Sequence, residues 1–143
     1  MKRFFVFLLI LTFVLFCYAD FKFEVTQEFK KGEGEITITG KTADEVLSGV
    51  VRTLFRLKCK IVDKDEEFGL IVAERKNTNN IYEEGKVVST EEYIADRWEI
   101  MIESVGEKVI VVCSYEGDGA GFWGSKKKSF EDFYKKLENI LSR

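Results

Sequence analysis

Histidine is absent from this 143-residue chain, and so is proline. Without histidine there is no Ser-His or Cys-His nucleophile and no His-ligated zinc, so the commonest general base and the commonest metal ligand are both excluded. The lack of proline leaves loop rigidity to other residues. A third of the residues are charged, mostly Lys and Glu, and Gln27 is the sole glutamine, a balance enriched in proteins of hot environments. The missing proline runs against that bias.

Positive charge is also in short supply. The first nineteen residues, MKRFFVFLLILTFVLFCYA, read as an export signal. Lys2 and Arg3 form its basic start, Phe4 to Phe16 its apolar stretch, and Cys17-Tyr18-Ala19 its cleavage region. Two alternatives stand beside cleavage: an uncleaved anchor, although the run is shorter than the roughly 20 residues of a spanning helix, and lipidation at Cys17, although Phe16 stands where a small residue is wanted. The expected location is exported, periplasmic or secreted, with membrane contact only if the leader is retained or Cys17 carries lipid. Residues 20–143 then form a single domain with 20 Lys and Arg against 25 Asp and Glu, a net charge of −5. Nucleic acid is not an expected partner of so acidic a chain.

Cysteine is scarce too. Cys59 and Cys113 remain after the signal, and in an oxidising compartment they read either as a disulfide or as two buried thiols. Spacing alone does not decide between them.

What is present is periodic. Phe21, Phe23, Val25 and Gln27 alternate with polar residues, and Glu35 to Thr39 does the same after Lys31-Gly32-Glu33-Gly34, which predicts a β-hairpin. Thr42-Ala43-Asp44-Glu45 is a capping box ahead of Val46, Leu47, Val50, Val51, Leu54 and Phe55 at helical spacing. Lys58 to Val62 and Phe68 to Arg75 read as strands around the acidic turn Asp63 to Glu67. Residues 76–92 are polar and turn-rich, and read as a long connection holding a short strand at Lys86 to Ser89. Tyr93 to Glu103 and Val109 to Tyr115 form a second hairpin, and Ser129-Phe130-Glu131-Asp132 predicts the start of a C-terminal helix. The expected fold class is α+β, order ββαββ-ββα, with two helices on one face of a mostly antiparallel twisted sheet.

Candidate sites are few. Residues 117–130, GDGAGFWGSKKKSF, resemble a phosphate loop, but Ser125 stands where a Walker lysine belongs and no dinucleotide fingerprint fits the glycines. The segment reads instead either as a cover over the core or as a contact tip made of Phe122, Trp123, Lys126, Lys127 and Lys128. Asp63, Asp65, Glu67 and Glu74 echo calcium-ligand spacing, but Phe68 occupies the obligatory glycine position. Glu83-Glu84 and Glu91-Glu92 are adjacent pairs whose members point oppositely in extended chain, and read as solvated charge. No cofactor is expected.

The stretches RLKCKIVDKDEEFGLIVAE and WEIMIESVGEKVIVVCSY, with the signal and the glycine loop, resemble small exported or lipid-anchored bacterial envelope proteins of unknown function with a helix-on-sheet fold. That resemblance carries no catalytic or binding residue across. The first expectation is a non-enzymatic envelope protein that binds another protein or a cell-surface component, with residues 117–128 as its contact. The alternative is a carrier holding a small apolar ligand between Val46–Phe55 and Trp98–Ile102.

Overall fold

The computed structural model describes residues 20–117 and 125–143. The order is β1 (Lys22–Lys30), β2 (Glu33–Thr39), α1 (Ala43–Arg56), β3 (Lys60–Asp65), β4 (Leu70–Glu83), β5 (Lys86–Val105), β6 (Lys108–Gly117) and α2 (Ser125–Leu141). The six strands make one sheet in the order β1-β2-β6-β5-β4-β3, with every neighbouring pair antiparallel.

Local chemistry places the elements. Lys31 and Gly32 both adopt positive φ, as a two-residue hairpin turn requires, and join β1 to β2. Thr42 caps α1 by accepting from the Glu45 amide, while the Glu45 carboxylate accepts from the Thr42 amide at 2.8 Å. α1 then carries the chain from β2 to the far edge of the sheet, and β3 to β6 return strand by strand until β6 lies beside β2.

Both helices cover one face. Val46, Val50 and Leu54 of α1 and Phe130, Phe133, Leu137 and Leu141 of α2 meet Ile36, Ile38, Ile71, Trp98, Ile100, Val111 and Cys113 of the sheet in one buried cluster. Gly49 lets the helices approach closely, since a Cβ there would lie 2.8 Å from Leu141. Aromatic rings order the α2 side, where Trp98 lies 4.9 Å from Phe133 and 4.5 Å from Tyr115. The opposite face is open and mixed, with half-exposed Met101 beside Val112 and an Arg97, Glu74 and Glu99 cluster.

Two expectations need correction, and one open alternative closes. Residues 76–92 are not a connection, because β4 and β5 run unbroken through them as a paired ribbon turning at Glu84-Gly85. α2 begins at Ser125, four residues before the anticipated cap; Ser129 lies inside the helix and its hydroxyl bonds Tyr115 instead. Cys59 and Cys113 are both free and buried. Cys113 lies on β6, whereas Cys59 leads into β3, three strand spacings away or about 14 Å across the sheet, well beyond bridging distance.

Candidate functional site

The β4–β5 ribbon outruns the sheet that supports it. β3 pairs β4 only as far as Glu74, and β6 pairs β5 only as far as Asp96. From Lys76 to Glu83 and from Lys86 to Ile94 the two strands have only each other among the described residues, an arm of about 26 Å. Ala95, an extra residue on β5 opposite Arg75/Lys76, marks the root, and a second extra residue, Val88, lies near the tip. Such bulges bend and twist a ribbon.

Neither face of this arm is buried. Tyr82 is 61% exposed, Val87 51% and Val88 52%, and Ile81 and Ile94 are exposed as well. Polar cross-strand contacts hold it: Thr90 donates to Asn80 Oδ1 at 3.1 Å, and Lys76 lies 3.9 Å from Glu92. An unsupported two-stranded ribbon is marginal in water, so apolar residues spread along one point to a surface meant to be covered.

At the root of the arm sits a half-buried polar cluster. Arg75 and Asp96 follow Ala73 and Trp98 on the core-facing side of β4 and β5, and the Arg75 Nε donates to Asp96 Oδ2 at 2.5 Å. The Tyr115 hydroxyl donates to the other Asp96 oxygen, and Arg75 also reaches Asn77 Oδ1 at 3.1 Å. The hydrogen bond to Asp96 raises the Arg75 pKa further above its ordinary value. Burial, then the bond to Asp96, pushes the Tyr115 phenol up to about 12, and burial with the Asp96 charge pushes the Cys59 thiol up to about 11. Burial alone raises Cys113. Cys59, Arg75, Asp96 and Tyr115 line a recess of about 190 Å³ with Leu57, Trp98, Ser129 and Asp132. Both Asp96 oxygens are engaged, and the elevated phenol and thiol stay protonated at neutral pH, so the cluster braces the arm where it leaves the sheet.

Sequence reasoning missed both features. The anticipated contact residues Lys126, Lys127 and Lys128 stand in the first turn of α2, which carries no acidic residue. Lys127 borders a small recess with Glu28, Phe29, Phe130 and Tyr134. Phe122 and Trp123, like residues 1–19, where an export signal is expected, lie outside the described residues. The faces expected to line a carrier's groove are packed together, with Val46, Val50, Leu54 and Ile100 fully buried and Trp98 2% exposed. A cleft of about 490 Å³ does open beside α1, but it is rimmed by Asp44, Glu66, Glu67 and Glu103. Among the described residues no helix is long and apolar enough to cross a membrane, and no group of three or more acidic or thiol side chains is placed to hold a metal.

No family model matches this chain, and no curated protein does. Among solved structures it is similar to a DUF4468 family protein from Bacteroides ovatus ATCC 8483, at 12% identity and a TM-score of 0.33 over 80% of this chain and 82% of that one.

Proposed function

We propose that this chain is an exported, non-enzymatic envelope protein that binds a protein partner, and that the β4–β5 arm is its contact element. One observation carries the reading: Ile81, Tyr82, Val87, Val88 and Ile94 are held in water on a ribbon that reaches beyond the core. Exposed Tyr and aliphatic side chains on a projecting strand pair supply the apolar centre of an interface, and open strand edges supply backbone hydrogen bonds to a partner. Export is supported by the basic and then apolar leader MKRFFVFLLILTFVLFCYA. The chemistry left to a histidine-free chain supports a binding role, since the half-buried Asp96 is already engaged at both oxygens by Arg75 and Tyr115. The segment containing Phe122, Trp123, Lys126, Lys127 and Lys128 is a second contact surface to test beside the arm. The carrier reading has less to rest on, because the inward faces of α1 and the sheet are packed into the core and the cleft that opens beside them, between Leu47 and Ile102, is rimmed by four carboxylates.

The test is site-specific photocrosslinking in intact cells, with a photoreactive residue at Tyr82, at Lys127 or at the control position Ser142. Adducts formed from Tyr82 and not from Ser142 are expected. Adducts from Lys127 alone move the contact to the start of α2, and no adduct from either position sinks the reading.

A further inference from the structure

We infer that the arm's partner is a second copy of this chain, joined edge to edge along β4 from Lys76 to Glu83. The inference rests on the arm being the contact element, and deepens it by naming what the arm meets.

The free edges of this molecule are not alike. β1 carries two register shifts against β2, and β3 is six residues long, four of them charged, with Val62 as an extra residue. Shortness, charge and bulges of this kind keep a sheet edge from pairing with another chain. On the arm, β5 holds both extra residues, Val88 and Ala95, and places Glu91 and Glu92 mid-strand. Between Asn77 and Tyr82 the β4 edge has none of these defences. From Lys76 to Tyr82 it has no extra residue of its own and no acidic side chain, and β3 leaves it at Glu74.

That edge is also complementary to itself. A twofold axis normal to the sheet keeps each residue on its own face, so it must pass through one residue and pair positions of equal parity. With the axis at Asn80, Asn77 opposes Glu83 of the other copy, Thr78 opposes Tyr82, and Asn79 opposes Ile81, each contact occurring twice, and the turn residue Glu84 ends beside Lys76 of the other copy at each end of the pairing. Opposite charges and Thr-aromatic pairs directly across an antiparallel pair are favourable. The acidic tip Glu83-Glu84 of one copy then arrives at the root of the other, where Lys58, Lys60 and Lys76 outnumber Glu74 and Glu92 around a groove of about 550 Å³. The same pairing through β5 is interrupted, because its extra residue Val88 shifts the register and leaves Lys86 and Ile94, which pair with Glu83 and Lys76, on opposite faces of the ribbon.

Two charge variants and one cysteine variant test this, each in the full chain expressed from Met1 and purified as the host processes it. Wild type is expected to sediment as a concentration-dependent monomer and dimer. Lys76→Glu and Glu84→Lys each create two like-charge contacts and are expected to weaken association about tenfold or more. A one-to-one mixture of the two variants restores Lys-Glu pairs at both contacts and is expected to associate within about threefold of wild type. Within one copy, positions 76 and 84 stand about 26 Å apart, so that recovery has no intramolecular route. Asn80→Cys, on the axis, is expected to give a cross-linked dimer with a short bis-maleimide, whereas Ser142→Cys does not. Circular dichroism of each variant confirms that it folds. A wild-type chain still monomeric at about 500 µM overturns the second-copy assignment and leaves the arm as a contact for a different protein. A dimer that ignores both charges, or that cross-links from Ser142 and not from position 80, overturns it as well by placing the interface elsewhere. The contact role of the arm fails separately, when Tyr82 yields no adduct in cells.

Discussion

Asp96 occupies a core-facing position that follows Trp98, and the fold tolerates its charge only because Arg75 and Tyr115 both bind it. Tyr115→Phe is expected to remove one of those bonds and to destabilise the chain by about 1–2 kcal/mol in urea unfolding. The fold holds the neutral phenol, so this contribution is complete below the ordinary tyrosine value of 10 and is lost as pH rises toward about 12. Cys59 acts in the same direction between 9 and about 11. The wild-type urea midpoint should therefore fall between pH 9.5 and 11.5, and Tyr115→Phe should lose less over that interval. An equal loss in both proteins would remove Tyr115 as a cause. Burial also sets the reactivity of the two thiols: Cys59 and Cys113 should resist a thiol reagent at pH 8 in the native chain and titrate fully after denaturation. Rapid native labelling of either would contradict the packing around it.

Elements were legible where one face is buried. The inward residues Ile36 and Ile38 of β2, and Val46, Val50 and Leu54 of α1, repeat at periods of two and about 3.6, because a sheet and a helix each present one side to the core. The hairpin turn at Lys31-Gly32 reads the same way. Lys31 holds φ at 53°, and Lys31→Asn, which suits a left-handed turn position, is expected to stabilise the chain by about 0.5–1 kcal/mol in thermal unfolding. The arm was illegible because neither of its faces is buried. Asn77, Asn79, Asn80, Thr78 and Thr90 are held by cross-strand pairing and give no apolar alternation. The cluster at its root was hidden for a related reason, since Arg75 and Asp96 break the inward apolar pattern separately and explain each other only once β4 and β5 are paired. The start of α2 was misplaced because Lys126, Lys127 and Lys128 oppose the positive end of the helix dipole, so the sequence favoured Ser129 as the cap. Lys126→Glu should accordingly stabilise the chain by about 0.3–1 kcal/mol at low salt, with the gain shrinking as salt is added.

At the scale of the whole molecule, the core and the arm are separable. Every residue of the buried cluster lies outside 78–92, and the last inward residue before the arm, Ala73, is matched across the ribbon by Trp98. Asn77 and Tyr93 oppose each other, which is the geometry a two-residue turn closes. Replacing residues 78–92 with Asn-Gly should therefore preserve near-ultraviolet circular dichroism and change Tm by no more than about 3 °C, because no apolar core area is removed. The same replacement deletes the exposed Ile81, Tyr82, Val87 and Val88, and with them the surface through which the chain is argued to associate. A folded variant that has lost self-association locates binding in the arm and stability in the helix-covered sheet. A variant that unfolds would show instead that the ribbon supports the core through Arg75 and Asp96, making its exposed residues a consequence of the fold and not its working surface.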